Sequence, residues 1–323
     1  MRDRIVDLIT VRARSSPDAI AFAHRGVAIT YRELEIRASK VANVLRLLGA
    51  GLGATVGLLL NSPQLAVGAL GILKTGAAYL PMDPELAPEH LTFIARDAGV
   101  PIVITEDAVA GRIPFGPWKL ISLDGHRPEI DRQSDEFPAP PLQDSDVAYV
   151  IYRSFAGESD GFPIEHGSLA DLAGWFRDAF DLTPADRVNQ VSRVASDAFA
   201  CELWPALAAG ASVRFSDPGA AYDVSGLRAS FDANGITIGF APAEMAESLL
   251  GSSCDETRVR WAVTSGSART HSDVLERLEA AANGHTRKAR LGLFDDRMRL
   301  LPEGEAGELF VAGVECGANN PQA

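Results

Sequence analysis

The stretch Leu73-Lys-Thr-Gly-Ala-Ala-Tyr-Leu-Pro-Met-Asp83 contains the end of a helix followed by a turn. Residues 64–74 predict a helix that ends at Gly76, because glycine readily takes the left-handed conformation found at helix C-termini. Upstream of it, Thr30 and Glu33 form the capping-box pattern that begins a longer amphipathic helix. The stretch therefore lies in a part of the chain that is built from capped helices.

Strands and helices alternate outward from this stretch in both directions. The predicted strands lie at residues 55–60, 102–105, 120–123, 147–152, 212–216, 236–240 and 259–264. Further helices are predicted at residues 91–98, 168–180 and 274–282, and a hairpin at 298–313 with a turn at 302–304. Alternation of strand and helix in units of about 25 to 40 residues predicts an α/β fold, with a parallel sheet and helices on its faces.

The segment 125–146 interrupts this alternation because it is polar, acidic and rich in proline. We therefore expect a first α/β lobe at residues 1–140 and a second α/β lobe at residues 141–290. A β-hairpin portion is expected at residues 291–323. Within the second lobe, we expect an irregular loop between the strand that ends at residue 152 and Pro163.

Composition and charge exclude several classes of function. The chain has 323 residues, of which 46% are hydrophobic and 23% charged, as in folded proteins with more than one lobe. A net charge of −13 disfavours binding to nucleic acids or anionic membranes, and no run approaches the ~20 apolar residues of a membrane span. Three distant cysteines and six histidines without ligand spacing argue against disulfides and a metal site. We expect a cytoplasmic protein without metal, nucleic-acid partner or membrane partner.

Six further strings, together with the stretch at 73–83, match the motifs of a known family in their order. These strings are Ile29-Thr-Tyr-Arg-Glu-Leu34, Asp146-Val-Ala-Tyr-Val-Ile-Tyr152, Ile164-Glu-His166, Ser196-Asp-Ala198, Glu202-Leu-Trp-Pro-Ala-Leu207 and Leu300-Leu-Pro-Glu-Gly-Glu-Ala-Gly-Glu-Leu309. With them, nearly the whole chain resembles the adenylation domains of nonribosomal peptide synthetases, in the acyl-adenylate-forming or AMP-binding superfamily. The resemblance implies the N-terminal core subdomain of that fold: two stacked α/β sheets plus a small β-barrel portion, without the C-terminal lid.

The phosphate loop that this resemblance implies is degenerate. Family members carry a pattern close to YTSGSTGxPKG, in which backbone N–H groups, hydroxyl groups and a lysine surround the ATP phosphates. Here the stretch reads Tyr152-Arg-Ser-Phe-Ala-Gly-Glu-Ser-Asp-Gly161, one residue shorter, with Phe155 in place of the first glycine and Asp160 in place of the lysine. No lysine lies between Lys119 and Lys288, so no shift of the alignment restores one. The residues of the degenerate loop are Ser154, Phe155, Gly157, Asp160 and Gly161.

Two other parts of the adenylation machinery do not match. The family motif that stacks on adenine and helps hold Mg²⁺ is absent. It would follow the helix that ends near residue 282, but there residues 283–290 run almost directly into residues 291–296. The lid and its lysine are not expected, since the sequence ends at Ala323. The resemblance therefore implies that binding of ATP and Mg²⁺ is lost, with no cofactor and no catalytic residue remaining.

The substrate pocket of the family is retained in part. Asp197 matches the aspartate that pairs with the α-amino group of an amino acid, so an amino-acid ligand is one hypothesis. As the N-cap of a helix over residues 198–207, the same aspartate needs no ligand. Cys201 stands at the position of a specificity residue, and Ser265-Gly-Ser267 replaces a Gly-Gly-Glu turn. The pocket remnant is Asp197, Cys201, Ser265 and Gly266.

These observations favour a non-catalytic, adenylation-domain-like protein, a pseudoenzyme that acts as a scaffold or interaction partner in nonribosomal peptide or related antibiotic biosynthesis. Two alternatives stay open: an amino-acid- or acyl-adenylating ligase with an atypical nucleotide site, and a repurposed catalyst on the same fold. The expected partners are a synthetase module, a carrier protein or an MbtH-like protein. The family resemblance places the MbtH-binding surface near residues 298–309, where Leu300 or Leu301 would lie in an exposed apolar patch.

Overall fold

The structure is a computed structural model that describes residues 4–155, 158–216, 223–242, 245, 259–266, 289–302 and 309–315. The chain divides into two compact units, each assembled from separate segments: Met1–Ala19, Ile29–Ala170 and Arg193–Asp197 in the first, and Ile20–Ala28, Asp171–Ser192 and Ala198–Ala323 in the second. The helix predicted at 274–282 lies outside the described residues, and the lobe boundaries expected from chain order stay a prediction. No helix in the described ranges is long and apolar enough to cross a bilayer.

The described helices and strands follow the predicted alternation. The helices are α1 (Ile5–Ser15), α2 (Tyr31–Leu47), α3 (Gln64–Thr75), α4 (Pro88–Asp97), α5 (Asp107–Ala110), α6 (Arg127–Asp131), α7 (His166–Ala179), α8 (Asp197–Ala209) and α9 (Val224–Asn234). The strands are β1 (Ile20–His24), β2 (Val27–Thr30), β3 (Thr55–Leu59), β4 (Ala78–Met82), β5 (Ile102–Thr105), β6 (Lys119–Ser122), β7 (Val147–Phe155), β8 (Glu158–Glu165), β9 (Arg187–Gln190), β10 (Ser212–Phe215), β11 (Ile238–Phe240), β12 (Trp261–Gly266), β13 (Ala289–Phe294) and β14 (Leu309–Glu315). The seven strands predicted from the sequence are all confirmed, and the ends of all but one of them differ by one to three residues.

The first unit contains a six-stranded sheet in the order β6-β5-β3-β4-β7-β8. Its neighbouring strands are parallel, except that β7 and β8 form an antiparallel pair at one edge. Strands β4 and β5 are buried along their whole length, and β3 is buried over all but its first residue, as expected of a parallel sheet covered on both faces. The alternation of the sequence therefore predicts this sheet correctly up to its antiparallel edge.

The stretch at 73–83 connects a buried helix to a buried strand. Helix α3 is buried from Leu65 to Thr75, and Gly76 caps it with a positive φ of 85° while its N–H group donates to the carbonyl oxygen of Leu73. Strand β4 follows at once, where the sequence indicated only a turn. The capping box of α2 is confirmed, because the Thr30 hydroxyl group accepts from the Glu33 N–H group and the Glu33 carboxylate accepts in return.

One charged residue of this stretch is buried within the first unit. The Lys74 side chain is only 5% exposed, and its Nζ atom lies 2.6 Å from Oε1 of Glu35. The hydroxyl group of Thr10 donates to the same oxygen at 3.1 Å. A buried lysine of this kind requires its carboxylate partner, so the pair links α3 to α2.

The second unit contains an eight-stranded mixed sheet in the order β13-β14-β12-β11-β9-β10-β1-β2. The run from β12 to β1 is parallel, whereas β14 is antiparallel to both β12 and β13. Buried aromatic rings pack against its strands: Phe176 stacks on Phe240 with centroids 5.6 Å apart, and Phe180 meets Trp261 edge-on at 5.2 Å. These rings form the aromatic part of this unit's core.

The hairpin predicted at 298–313 has a different first strand from the one expected. Strand β14 pairs with β13 along its length, so the two strands are joined by residues 295–308. Asp295 accepts a hydrogen bond from the backbone N–H group of Arg299 in a turn, and Met298 has a positive φ of 59°. The prediction of a strand beginning at residue 298 was wrong, because a residue in that left-handed conformation cannot continue a strand.

Candidate functional site

Strands β7 and β8 form a hairpin at the position of the degenerate phosphate loop. They pair continuously from Ile151 and Phe162 to Phe155 and Glu158, which leaves residues 156 and 157 as the connection. The expectation of an irregular loop as far as Pro163 was therefore wrong. A shortened segment that has lost its first glycine and carries aromatic residues favours strand pairing over an open loop, which explains the difference.

The described residues of the degenerate loop end β7 or lie on β8, namely Ser154, Phe155, Asp160 and Gly161. Gly157 lies outside the described residues. Asp160 is exposed, and it is the direct cross-strand neighbour of Arg153, so both side chains extend from the same face of the hairpin. Strand pairing thus fixes where these residues lie and which of them share a face.

The other face of the hairpin holds Tyr152 against Gly161. The Tyr152 hydroxyl group donates to Oδ2 of Asp97 at 2.6 Å, and burial together with this carboxylate raises the pKa of the phenol. A Cβ atom added at Gly161 would lie only 3.0 Å from the Cζ atom of the Tyr152 ring. The packing of the tyrosine ring therefore accounts for this glycine without any phosphate ligand.

The guanidinium group of Arg153 is bound by the carboxylate group of Asp197. Nε and Nη2 of Arg153 each donate to one oxygen of Asp197 at 2.9 Å, which is bidentate geometry. The same guanidinium group lies over the ring of Phe162, 4.8 Å from its centroid. Because the Arg153 and Asp197 side chains are only 19% and 16% exposed, the pair is largely withdrawn from water. The arginine beside the predicted loop residues is thus engaged in an internal ion pair.

The residues of the predicted pocket remnant belong to both units. Asp197 is the first residue of α8 and belongs to the first unit, whereas Cys201, one turn later, is fully buried in the second unit. Ser265 and Gly266 are the last two residues of β12, where they pair with Val311 and Phe310 of β14. They extend the strand predicted at 259–264 by two residues, because β14 supplies them with a partner.

Glu202 is a buried acid in the second unit that sequence reasoning did not single out. Its Oε2 atom accepts from the backbone N–H groups of Val191 and Ser192 at 3.0 Å and from the amide group of Gln190 at 3.2 Å, and its Oε1 atom lies 2.5 Å from the Ser192 hydroxyl oxygen. Burial raises the pKa of Glu202 to about 7, and these hydrogen bonds oppose the increase. One acid within the otherwise apolar segment 198–209 is the signal that could have identified it.

His166 follows β8 and is buried at the start of α7. Only 1% of the residue is exposed, and neither ring nitrogen has a hydrogen-bond partner in the described structure. Burial lowers the pKa of His166 to about 4. The charged groups that influence it are Asp146, Arg4, Asp7 and Asp144. This histidine is therefore neutral near pH 7, and the matching motif at residues 164–166 supplies a core side chain.

The arrangement at the hairpin does not fit the triphosphate of ATP. A polyphosphate site needs free backbone N–H groups and cations around several negative charges. Here the backbones of β7 and β8 pair with each other, Arg153 is engaged by Asp197, and Asp160 adds a negative charge. Within the described ranges, no three His, Cys, Asp or Glu side chains are grouped so that they could hold a metal ion.

Comparison with known proteins identifies the family. Residues 9–289 match the family described as AMP-binding enzyme. The chain is 34% identical over 268 residues to a component of the linear gramicidin synthase of Brevibacillus parabrevis, and the match covers 82% of this chain. It covers only 5% of that synthase component, so the chain spans a small part of the length of this curated relative.

Solved structures show the same similarity in three dimensions. The nonribosomal peptide synthetase FmoA3 is similar with a TM-score of 0.76 and 27% identity, over 88% of this chain and 30% of that chain. The N-terminal subdomain of Klebsiella oxytoca NpsA is similar in fold, with a TM-score of 0.74 and 21% identity over 99% of this chain and 90% of that one. The chain thus belongs to the AMP-binding enzyme family and has the fold of the N-terminal subdomain of an adenylation domain.

Proposed function

We propose that this chain is a non-adenylating member of its family, a pseudoenzyme that acts as a scaffold or interaction partner in nonribosomal peptide or related antibiotic biosynthesis. The observation that carries the proposal is the continuous pairing of β7 and β8 as far as Phe155 and Glu158. In the family, this segment is an open loop whose backbone surrounds the phosphates of ATP. A paired hairpin directs many of the same backbone groups to the opposite strand.

The contacts of the hairpin support the loss of ATP and Mg²⁺ binding. An opened loop would lose the pairing of residues 153–155 with residues 158–160, beside the bidentate pair between Arg153 and Asp197 and the hydrogen bond between Tyr152 and Asp97. The opened loop would then bring the carboxylate of Asp160 towards the phosphates at the position where the family has a lysine. Both effects disfavour the nucleotide-bound state, because one removes existing contacts and the other adds repulsion.

The substrate side of the site supports the same proposal. The resemblance assigns Asp197 to the α-amino group of an amino acid, yet both of its carboxylate oxygens already accept hydrogen bonds from Arg153. A free amino acid would have to displace a tethered guanidinium group that is also packed on Phe162. The proposed function therefore includes no amino-acid substrate at this carboxylate.

Synthetase components are the proposed partners. The relative in Brevibacillus parabrevis is a subunit of linear gramicidin synthase, and FmoA3 is a nonribosomal peptide synthetase. Both support a synthetase module or its carrier protein as the partner of this chain. An MbtH-like protein is a further proposed partner, and Leu300 is the residue proposed for that contact. Leu300 is 44% exposed, although it also forms a backbone bridge with Phe294. An apolar side chain held in this way by the backbone is suited to the centre of a small docking surface.

The partner proposal is tested by co-purification with each of the three protein classes. We expect a stable complex on gel filtration at micromolar concentration with at least one of them. If the MbtH-like protein binds, Leu300→Asp should abolish that complex while leaving the melting temperature nearly unchanged. Leu47→Asp is the matched control, because Leu47 is 75% exposed at the end of α2. Absence of every complex would contradict the scaffold proposal, and equal loss with both variants would exclude Leu300 as the contact.

The loss of adenylation is tested by ATP–pyrophosphate exchange with the proteinogenic amino acids and with aryl acids. The assay is run on the chain alone and on the chain mixed with the co-purifying synthetase component. An active adenylation domain of a related synthetase, assayed in parallel, is the positive control. We expect exchange at the background level throughout, and acid-dependent exchange above background would favour a ligase with an atypical nucleotide site.

A further inference from the structure

Arg153, Asp197 and Phe162 hold a cation between a carboxylate group and an aromatic ring. The carboxylate of Asp197 accepts two hydrogen bonds of 2.9 Å, and the guanidinium carbon lies 4.8 Å from the centroid of the Phe162 ring. Proteins use the same two elements, a carboxylate and a ring face, to bind free ammonium and guanidinium ligands. The difference is that the cation here belongs to the protein itself.

We propose that Asp197 and Phe162 form a cation-binding cage that Arg153 fills as a tethered ligand, and that truncation of Arg153 opens the cage to a free alkylguanidinium ion. In the intact chain, the tether gives the guanidinium group a high effective concentration, so soluble amines and guanidines are excluded. The inference goes beyond the proposed function, since it concerns which ligand occupies this carboxylate and does not depend on the absence of ATP binding.

The two sides of the cage lie on different elements from Arg153. Phe162 lies on β8 opposite Ile151, and Arg153 lies two residues further along β7, so ring and guanidinium share one face of the hairpin. Asp197 is the first residue of α8, where the helix N-terminus favours a negative charge. Truncating Arg153 therefore removes the cation and leaves the ring and the carboxylate on their own strand and helix.

The limited exposure of the pair gives the cage its selectivity. With side chains only 19% and 16% exposed, the pair lies where a charge without a partner is poorly hydrated. A vacated Asp197 would therefore gain more from a cation than a fully solvated carboxylate does. A bidentate donor such as a guanidinium ion suits the two oxygens better than the point charge of an ammonium ion.

The test uses the fragment that the substitution removes. Arg153→Ala deletes the side chain beyond Cβ, and the deleted atoms correspond to N-ethylguanidinium, which is titrated against the folded variant while melting is followed. We expect the melting temperature to rise with the logarithm of ligand concentration above the dissociation constant, by about 2 °C at ten times that constant if the 323 residues unfold together. N-ethylurea has the same shape without the charge, and it should produce no such rise.

Variants of the cage assign the binding to these residues. The wild-type protein should not respond to N-ethylguanidinium, because Arg153 already fills the cage, and the double variant Arg153→Ala/Asp197→Asn should not respond because it lacks the carboxylate. Adding Phe162→Leu to Arg153→Ala should raise the dissociation constant about two- to fivefold through loss of the ring contact. No rise in the melting temperature of Arg153→Ala with N-ethylguanidinium beyond that with N-ethylurea, or equal responses with and without Asp197, would overturn the proposal.

A second measurement covers the case in which Arg153→Ala does not fold. Arginine Nε–H signals are recorded by ¹⁵N nuclear magnetic resonance in the wild-type protein and in Asp197→Asn. We expect the Nε–H proton of Arg153 to be protected from solvent exchange in the wild type. Its exchange rate should rise at least tenfold in Asp197→Asn. A freely exchanging Arg153 signal in the wild type would contradict the tethered-ligand assignment.

Discussion

Replacement of Glu202 by glutamine should change how the stability of the second unit depends on pH. Burial raises the pKa of this carboxyl group to about 7 in the folded protein, against an ordinary value of 4.5. Below pH 4.5 the group is protonated in both the folded and the unfolded chain. As the pH rises, the unfolded chain releases its proton first, so stability falls between pH 4.5 and pH 7. The difference between the folded and unfolded pKa values corresponds to a loss of roughly 3 kcal/mol in the free energy of unfolding.

Glutamine has the shape of the protonated glutamic acid and does not titrate. Its side-chain oxygen can accept from the N–H groups of Val191 and Ser192, as Oε2 of Glu202 does at 3.0 Å. Its amide group can donate to the Ser192 hydroxyl oxygen, which lies 2.5 Å from Oε1. The variant therefore keeps the hydrogen bonds to Val191 and Ser192 and removes the free-energy cost of ionising a buried carboxyl group at neutral pH.

The assay is urea unfolding of both proteins between pH 4.5 and pH 8, followed by tryptophan fluorescence, since Trp204 is fully buried two residues from the substitution. We expect the free energy of unfolding of Glu202→Gln to gain roughly 3 kcal/mol relative to wild type across this range. Other titrating groups cancel in the difference. Glu202→Leu is the control, and it should be less stable than Glu202→Gln at every pH because two backbone N–H groups lose their acceptor. Parallel pH profiles for glutamine and glutamate would refute the reasoning.

Three further predictions concern the first unit. The low pKa of His166, about 4, makes the free energy of unfolding of the wild type fall by roughly 3 kcal/mol as the pH drops from 6.5 to 4, and His166→Asn should remove this fall. Urea unfolding at pH 7 and pH 4.5 measures it, and an equal loss of stability in both proteins would contradict it. Glu35→Met should cost about 3 to 5 kcal/mol by leaving the buried Lys74 ammonium group unpaired. Adding Lys74→Met should recover part of that loss in the same assay, whereas an additive further loss would show that the pair is not coupled. Asp160→Lys should not create stabilisation by Mg-ATP, since β7 and β8 remain paired, and a nucleotide-dependent rise in its melting temperature would show that charge alone prevents binding.

Local signals account for the elements that the sequence predicted well. The capping box at Thr30 and the glycine stop at Gly76 act within a few residues, and both are present in the structure. The strand predicted at residues 102–105 agrees residue for residue with β5, because it is a short apolar run between clear breaks. Such features depend on neighbouring residues alone, so a single sequence is enough to locate them.

The features that the sequence did not reveal depend on contacts between distant residues. The partners Arg153 and Asp197 are 44 residues apart, and no periodicity links them. The sequence does not predict the pairing of β7 with β8, because the family resemblance favours a loop and a one-residue deletion does not indicate a new strand partner. The partner strand of β14 is misplaced for a similar reason, since the turn signal at 302–304 forms only part of the connection.

The most direct test of the central claim is the melting temperature of the chain as a function of Mg-ATP concentration. A site with a dissociation constant near 1 mM would stabilise the protein by about 1.4 kcal/mol at about 10 mM ligand, a shift of about 2 °C if the 323 residues unfold together. Magnesium with inorganic tripolyphosphate, run in parallel, controls for effects of bulk anions. The paired hairpin with Asp160 at its edge predicts no shift beyond this control. A shift of about 2 °C or more with Mg-ATP alone, growing with the logarithm of its concentration, would show that the nucleotide site persists and would contradict the account.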